Sequence, residues 1–446
     1  MPSRTDRAVR VAVLADSDTR WKWGVLTARR ITPESAEGAA GAEPAEPAGP
    51  TGFVLRGRAT PTSRQLAETA VSDTAPREVT GTEFLREVRD AADRGEGYDV
   101  VVLALVGGTV RAMLQGLADL ALDRRPVLVT GYVGVVYEKL ADGLLLRHGA
   151  DVVLANSRHD AERFRAVYEG VGADPGAVVE AALPFLGGAP HRPEPGRDTL
   201  VFAAQPSVPV TKAERAYVLR RLVEHARLHP DREVLLKLRS RPGEHTTHLE
   251  EFPYQKLVRD LPAPPNFRLV YGHMGEVLDR TDLLVTVSST AALEALHRRV
   301  PTAVLTDLGV REALGNHHFI GSGLLTSFDA LDKGAAPEPD EQWLARQGVG
   351  AAGLPGGIPY ERAFDAARER VAELLAGPAL PPVAPYYTAE TAGGYLPGIL
   401  ARHRLDVTAP EPRESGVRRI VREAARGAYR HGVQRVAPVI RRLGEL

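Results

Sequence analysis

Residues Tyr98 to Gly108 read YDVVVLALVGG, and this stretch decides the fold class. A continuous run of apolar, β-branched residues is typical of a strand buried on both faces of a parallel sheet. The two glycines that follow open a helical pattern that runs through Leu122. Because a buried strand that passes directly into a helix is half of a βαβ unit, the segment predicts an α/β architecture.

The alternation of strand and helix continues along most of the chain. Further apolar runs predict strands at residues 9–15, 53–56, 126–131, 150–155, 200–204, 233–238, 267–271, 283–287 and 300–305. Helical patterns fall between them, the clearest at residues 82–94, 160–168 and 212–229. This alternation predicts parallel sheets with helices on both faces. Residues 334–359 and 377–398 are rich in Gly and Pro and are predicted as loops.

The length of the chain predicts two domains. Its 446 residues exceed the roughly 250–300 at which a single hydrophobic core stops growing. A Gly- and Pro-rich connection at residues 187–197 predicts the boundary. We therefore expect an α/β fold with two Rossmann-like domains, residues 1–190 and 191–400, whose parallel sheets face a cleft that holds the active site. Residues 401–446 are expected to form a C-terminal helical tail.

Composition excludes several classes of function. The formal net charge is −1, so no global charge favours binding to nucleic acid. The absence of Cys excludes disulfides, thiolate zinc sites and a cysteine nucleophile. No signal-peptide pattern follows Met1, and no run approaches the ~20 apolar residues that span a bilayer. We expect a cytoplasmic protein.

Residues 413–446 have a pattern of their own. From Val417 onward, apolar residues recur at helical spacing and arginines occupy many of the remaining positions, which predicts a basic amphipathic helix. One interpretation is a helix docked on the protein with its basic face solvated. The other is peripheral attachment to the anionic inner face of a membrane.

The segment Ser288-Ser289-Thr290-Ala-Ala-Leu-Glu294 follows a predicted strand and opens a helix. Backbone N–H groups at a helix start, with three hydroxyls beside them, favour binding of a phosphate group. Glu294 lies one turn further on, where a carboxylate can accept hydrogen bonds from ribose hydroxyls. The alternative is structural, with a serine as N-cap and Glu294 completing a capping box.

Further candidates for a nucleotide site follow two other predicted strands. Lys237 and Arg239 lie at the end of the strand at 233–238, and side-chain alternation places both on one face. Cations at the carboxyl end of a parallel strand suit a phosphate, although a solvated basic strand end has the same pattern. Gly272 and His273 form a turn that either contacts a base or ribose or serves turn geometry alone.

The first domain offers candidate catalytic carboxylates. Asp16 and Asp18 follow its first strand, where a carboxylate suits a general base that removes a proton from a hydroxyl. Their structural alternative is helix capping and turn formation. Lys22 comes next, on a lid or on a helix face. Other loops at this edge provide residues for the second substrate: Gly107, Gly108, Arg111, Gly131 and Tyr132.

Motifs for resident cofactors are missing from the sequence. It contains no Walker lysine loop and no complete dinucleotide fingerprint, so neither a P-loop nor an NAD site is predicted. His245 and His248 are two imidazoles without a clear third ligand, which makes a metal site a weak hypothesis. We expect neither a metal nor a cofactor.

Four segments resemble a family of bacterial glycosyltransferases of the two-Rossmann GT-B type, common in actinobacteria. They are Ala15–Asp18 with Lys22-Trp23, Val129–Tyr132 with Val135, Tyr137 and Glu138, Ala155–Arg158, and Thr286–Glu294. The last is also similar to capsule sialyltransferases and Kdo transferases. That similarity implies that Ser288, Ser289 and Thr290 contact donor phosphate and that Glu294 contacts a donor hydroxyl. The capsule enzymes carry a His-Pro pair after their strand, where this chain has Lys237-Leu238-Arg239.

Together these observations predict an enzyme that transfers a sugar from a nucleotide-activated donor to an acceptor hydroxyl without a metal. The nucleotide sugar is a co-substrate bound mainly by residues 191–400. The acceptor, a cell-surface glycan or a lipid-linked precursor, is bound by residues 1–190. Two alternatives share the fold: a nucleotide-sugar 2-epimerase, which needs no acceptor, and an inactive scaffold that binds nucleotide or glycan.

Overall fold

The structure is a computed structural model of the chain. It describes residues 8–33, 49–57, 59–71, 75–135, 139–241, 244, 250–349 and 359–403. The predicted tail helix over 413–446, and with it Tyr137, Glu138, His245 and His248, lies outside the described residues. No helix within the described ranges is long and apolar enough to cross a membrane.

The first half of the chain forms a seven-stranded parallel sheet in the order β3-β2-β1-β4-β5-β6-β7. The strands are β1 (Val11–Ala15), β2 (Thr51–Leu55), β3 (Arg77–Val79), β4 (Val100–Ala104), β5 (Val127–Gly131), β6 (Val152–Ala155) and β7 (Val178–Glu180). The helices are α1 (Asp18–Ile31), α2 (Ser63–Ala67), α3 (Gly81–Asp93), α4 (Gly107–Asp119), α5 (Leu140–Leu145) and α6 (Arg158–Gly170).

The second half forms a six-stranded parallel sheet in the order β10-β9-β8-β11-β12-β13. Its strands are β8 (Thr199–Ala203), β9 (Glu233–Lys237), β10 (Phe267–Val270), β11 (Leu283–Thr286), β12 (Thr302–Leu305) and β13 (Leu325–Thr326). Its helices are α7 (Lys212–Leu228), α8 (Tyr254–Leu257), α9 (Met274–Leu278), α10 (Ala291–His297) and α11 (Phe328–Asp332), with 3-10 turns at Val258–Asp260, Glu312–Leu314 and Asn316–Phe319.

The local sequence explains why the helices start where they do. Ser157 precedes α6, and its hydroxyl accepts a hydrogen bond of 3.1 Å from the Asp160 N–H. Thr80 and Glu83 form a capping box before α3, so this helix starts one residue before the predicted position. Capping side chains satisfy N–H groups that no helical carbonyl can reach.

The division of the chain differs from the expected one at its C-terminal side. After residue 338 the chain returns to the first unit, where it forms α12 (Glu341–Arg346), a 3-10 turn (Tyr360–Phe364), α13 (Asp365–Ala376) and α14 (Leu396–His403). Helix α13 packs against α1 and strands β5 to β7. The second unit therefore covers residues 189–295 and 299–338, not 191–400, because the Gly- and Pro-rich segments predicted as loops contain helices that bury side chains in the first unit.

Asp282 fixes the start of β11 in the second unit. Its carboxylate accepts hydrogen bonds from Arg197 Nη2 at 2.9 Å and from the Thr199 N–H at 2.9 Å, and it lies 3.1 Å from His191 Nε2. Burial alone would raise the pKa of Asp282, but the hydrogen bonds from Arg197, His191 and Thr199 hold that pKa below its ordinary value of 3.8.

We predict that Asp282→Asn lowers the free energy of unfolding by about 1–2 kcal/mol, because a charge-assisted bond to Arg197 is lost. This corresponds to a fall in melting temperature of about 2–8 °C. Since the folded-state pKa is depressed, the contribution is complete above the ordinary carboxyl pKa and is lost as the pH falls through the folded value. The difference between variant and wild type should stay constant from pH 7 to 5 and shrink below pH ~4.

Glu373→Gln is the control for this prediction, because its pair with Arg370 is a 3.4 Å contact on an exposed helix face. We expect its melting temperature to match the wild type, as exposed pairs contribute little. Equal effects of the two variants would contradict a specific role for Asp282.

Candidate functional site

Each sheet contains a point at which the order of its strands reverses. In the first sheet the reversal lies between β1 and β4, and in the second between β8 and β11. Ligands of open α/β sheets bind beyond the carboxyl ends of the strands at such a point. The segments that begin there are Asp16 and Leu105-Val106 in the first unit, and Ala204-Gln205 and Val287-Ser288 in the second.

Ser288 is a structural residue at the reversal point of the second sheet. It is buried, and its hydroxyl lies 2.5 Å from the Leu314 carbonyl oxygen. Its backbone N–H donates to Gln205 Oε1 at 3.1 Å. These bonds join the loops that follow β8, β11 and β12, so Ser288 fixes the position of the three loops relative to one another.

Ser289 and Thr290 differ in what they offer a ligand. Ser289 caps the start of α10, since its hydroxyl accepts a 3.2 Å bond from the Ala291 N–H. Thr290 is half-buried, and neither its N–H nor its hydroxyl has a hydrogen-bond partner among the described residues. Glu294 lies one turn further along α10 and is half-buried. Of the three hydroxyl residues, Thr290 is the best placed to contact a ligand.

The predicted cations lie at the carboxyl edge of the same sheet. Lys237 is the last residue of β9, next to Ala203 of β8 in register. Its side chain is 6% exposed, and its Nζ donates to the Leu238 carbonyl at 2.9 Å. Arg239 follows two residues later and is half-buried. A buried ammonium group beside the reversal point is a strong local source of positive charge.

The turn after β10 lies further from the reversal point, because β10 is the edge strand of the order β10-β9-β8-β11. Gly272 has a φ of +103°, a conformation that favours glycine, so the turn geometry alone accounts for it. His273 occupies the N-cap position of α9 without a side-chain capping bond.

Arg215 supports this site and was missed by sequence analysis. It is 1% exposed, and its Nη1 lies 3.2–3.3 Å from the carbonyls of Gln205, Pro206 and Pro209. Its guanidinium also pairs with Glu250. Burial raises the pKa of Glu250 although Arg215 opposes that shift. Arg215, paired with Glu250, therefore fixes the loop that carries Gln205.

In the first unit, the two candidate carboxylates have different surroundings. Asp16 accepts a 3.0 Å bond from the Val106 N–H through Oδ2 and a 2.9 Å bond from Arg20 through Oδ1. Oδ2 therefore joins the loops after β1 and β4 across the reversal point, and Oδ1 joins the first of these loops to α1. Asp18 is the first residue of α1 and is half-buried, with the Thr19 hydroxyl 3.4 Å from its Oδ1.

Lys22, Gly131 and Tyr132 have packing partners in the first unit. The Lys22 ammonium lies 5.2 Å from the centre of the Phe185 ring. A Cβ at Gly131 would lie 2.8 Å from the Trp23 ring, so the close approach requires glycine. The Tyr132 ring lies 3.9 Å under the guanidinium of Arg147. The contacts of Gly131 and Tyr132 fix the end of β5 and the residue after it, and the contact of Lys22 joins α1 to Phe185. None of these contacts identifies a ligand.

Arg111 is buried, and it holds the returning C-terminal segment. Its Nε and Nη2 donate to the Tyr387 carbonyl at 2.9 and 2.7 Å. Gly107 and Gly108 open α4, and their N–H groups have no hydrogen-bond partner among the described residues. Gly108 lines a cavity of about 420 Å³. The other lining residues are Val106, Thr109, Gly394, Tyr395, Gly398 and Ile399.

One group of potential metal ligands occurs among the described residues. Ligand atoms of His225, His229 and Asp332 all lie within 4.8 Å of one another. Arg232 Nη1 lies 3.1 Å from His225 Nε2, and Arg221 pairs with Asp332 at 2.8 Å. Two guanidiniums therefore already pair with members of this group. The group lies at the end of α7 that precedes β9, away from the carboxyl edge.

Comparison with known proteins identifies the class of the chain. The UDP-GlcNAc 2-epimerase of Neisseria meningitidis, solved with UDP-GlcNAc bound, is 10% identical, with 82% of this chain and 100% of that chain covered and a TM-score of 0.50. This likeness shows the fold, two Rossmann-type α/β units of the kind found in GT-B glycosyltransferases and 2-epimerases. At 10% sequence identity, the likeness is one of fold and not of sequence.

Two further solved structures are similar at lower scores. The UDP-GlcNAc 2-epimerase of Methanocaldococcus jannaschii has a TM-score of 0.48 at 10% identity, over 83% of this chain and 100% of that chain. The glycosyltransferase SnogD of Streptomyces nogalater has a TM-score of 0.40 at 16% identity, over 88% and 100%. No curated protein matches the sequence.

Residues 11–373 match the family described as "Putative glycosyltransferase (DUF6716)". The chain belongs to this family, and it is an enzyme of the glycosyltransferase class.

We predict that Ser288→Ala lowers the free energy of unfolding by about 1–3 kcal/mol, because the buried Leu314 carbonyl loses its hydroxyl donor. Thr290→Val should leave the melting temperature within about 1 °C of wild type, since no internal hydrogen bond of Thr290 is lost. Thermal unfolding of both variants without ligand tests this contrast. A large destabilisation by Thr290→Val would place its hydroxyl in the fold and not in the ligand site.

Proposed function

We propose that the protein transfers a sugar from a nucleotide-activated donor to an acceptor hydroxyl during synthesis of a cell-surface glycan, on the cytoplasmic side of the membrane. The family supports glycosyl transfer. The observation that carries the finer proposal is the set of polar and cationic side chains at the strand-order reversal of the second unit. Within that unit, buried Lys237 ends β9 and half-buried Thr290 lies in the loop after β11. These two strands lie on either side of β8.

In this proposal the second unit binds the nucleotide. Thr290 donates its N–H and hydroxyl to the diphosphate, and Lys237 and Arg239 neutralise it. Ser288 and Ser289 hold the loop in shape, Glu294 accepts donor hydroxyls, and the turn at Gly272-His273 lies along the base or ribose. Because α10 has only seven residues, its dipole contributes less than the side-chain cations.

These cations also supply the chemistry of the leaving group. As the bond between sugar and phosphate breaks, negative charge develops on the nucleotide, and fixed cations in a buried site stabilise it. We therefore propose transfer without a metal ion. Activity should survive excess EDTA; a loss that Mg²⁺ or Mn²⁺ restores would contradict this part of the proposal.

The first unit receives the acceptor and provides the base. Both oxygens of Asp16 already bind Arg20 and the Val106 N–H, so Asp16 positions the loop. Asp18, half-buried beside it, is the residue that we assign to remove the proton from the acceptor hydroxyl. Three segments surround this edge: Lys22, the start of α4 at Gly107-Gly108, and Gly131-Tyr132. Arg111 supports the edge through its hydrogen bonds to the Tyr387 carbonyl.

The donor prediction is tested by thermal stabilisation with UDP, GDP, CDP, CMP, TDP and ADP. We expect one of these nucleotides to raise the melting temperature, and Lys237→Ala and Thr290→Val to reduce its affinity about 10-fold or more, since a bond to a charged group contributes roughly 1.5–3 kcal/mol. Lys333→Ala, an exposed lysine of the same unit, is the matched control and should bind like the wild type. If all variants bind equally, the nucleotide lies elsewhere.

The catalytic prediction concerns the rate of transfer. Asp18→Asn should lower kcat by about 10²–10⁴ with nucleotide binding unchanged, because a general base contributes a factor of this size. Asp93→Asn, at the exposed end of α3, is the control. Products should be analysed with and without acceptor, because conversion of the donor sugar to its 2-epimer without acceptor would identify an epimerase instead. Nucleotide binding without any turnover would favour the inactive scaffold.

A further inference from the structure

A second, larger cavity adjoins the one at the start of α4, entirely within the first unit. It has a volume of about 1040 Å³ and opens to solvent. Gly394 and Tyr395 line both cavities, so the two cavities adjoin each other at these residues. One side of the larger cavity is the start of α5, and the other is the C-terminal segment that returns to this unit. We call the larger cavity the tyrosine groove. Its lining includes Lys139, Asp142, Tyr387, Thr391, Gly394 and Tyr395.

Asp142 is the polar centre of the tyrosine groove. The Tyr387 hydroxyl donates to its Oδ1 at 3.0 Å, and the Tyr395 hydroxyl lies 3.4 Å from its Oδ2. The two tyrosine rings are 5.5 Å apart and nearly perpendicular, at 78°. Burial and the Asp142 carboxylate raise the pKa of Tyr387 to about 12, which extends the pH range over which its hydroxyl donates to Asp142.

The tyrosine groove is built on fixed supports. Arg111 of α4 holds the Tyr387 carbonyl with two hydrogen bonds, and Arg125 donates to the Pro381 carbonyl at 3.1 Å. The Thr391 hydroxyl donates to the Tyr386 carbonyl at 2.7 Å. The aromatic wall is therefore in place before any ligand arrives, which lowers the entropic cost of binding.

The chemistry of this lining fits a sugar ring. A pyranose has an apolar C–H face that packs on an aromatic ring, and Tyr395 is 45% exposed. Its hydroxyl groups donate well to a carboxylate and exchange hydrogen bonds with phenols, which Asp142 and Tyr387 provide. Apart from residues 393 to 395, no atom lies within 4 Å of a Cβ built on Gly394, so the rest of the surroundings leave open space there. A cavity with aromatic walls and a few convergent polar groups is typical of a ligand site.

We infer that the tyrosine groove binds a sugar unit of the acceptor glycan, one position away from the sugar that reacts. This inference rests on the proposed function, in which the acceptor occupies the first unit. The smaller cavity touches Val106, whose N–H binds Asp16, two residues before the proposed base Asp18. The reacting sugar belongs in the smaller cavity and the preceding sugar in the tyrosine groove, which makes the enzyme prefer acceptors of two or more units.

Binding of the full chain to an array of defined mono- to hexasaccharides, without nucleotide, tests the inference. We expect the wild type to bind oligosaccharides of two or more units and to bind monosaccharides weakly. Tyr395→Ala should lower the affinity about 5- to 10-fold, the effect of losing one stacked aromatic face. Tyr395→Phe should retain most of the binding, because it keeps the ring. Asp142→Asn should lose affinity as well, since the carboxylate charge is lost and the shape is kept.

Each outcome distinguishes the inference from the proposed function. Nucleotide stabilisation of all three variants should match the wild type, because donor binding belongs to the second unit. Their melting temperatures without ligand serve as a check on folding and should fall slightly, because each variant weakens the hydrogen bonds between Asp142 and the tyrosines. A wild type that binds no oligosaccharide, or a Tyr395→Ala variant that binds as well as Tyr395→Phe, overturns the inference even if nucleotide binding is intact. Oligosaccharide binding that depends on Tyr395, in a protein that binds no nucleotide, supports the groove and contradicts the proposed transfer reaction.

Discussion

Burial of the central parallel strands on both faces is the constraint on which the rest of the structure depends. Strands β1 and β4 have no side chain exposed by more than 8%, and β8 is buried along its whole length. Strands of this kind leave no room for polar chemistry within the sheet, since an unpaired buried polar group is costly. Ligand-binding and reactive groups are therefore expected at or beyond the strand ends, and in both units the candidate residues lie at the carboxyl ends beside the strand-order reversal.

Buried arginines organise the loops at these edges. Arg111, Arg147 and Arg215 are each at most 4% exposed, and each donates to a main-chain carbonyl outside the strands and helices, at Tyr387, Leu105 and Pro206 respectively. A guanidinium offers five donors in a fixed plane, so one side chain can satisfy several carbonyls at once. Most of the donors of these arginines are already used within the protein, so the arginines are poor candidates for contacts with a ligand.

Sequence analysis predicted the fold class correctly, and it placed the candidate residues at the carboxyl edges of the two sheets. Long apolar runs such as that of β4 are recognised by their length and β-branched residues, and the residues that follow them must reach the carboxyl edge. The two- and three-residue strands β13, β3 and β7 are too short to show a period. Bonding partners were also beyond reach: Ser288 bonds to Leu314 across 26 positions, and Arg111 to Tyr387 across 276. Periodicity identifies an element, but packing decides which sheet the element covers.

The return of α12, α13 and α14 to the first unit has a consequence for the descent of such chains. Because the polypeptide leaves the first unit near residue 188 and re-enters it after residue 338, the second unit has the connectivity of an inserted module, attached at both ends. An inserted module can be exchanged for another without breaking the core of its host, at the modest entropic cost of closing a different loop. Under the proposed function, such an exchange changes the donor site and leaves the acceptor surface of the first unit unaltered.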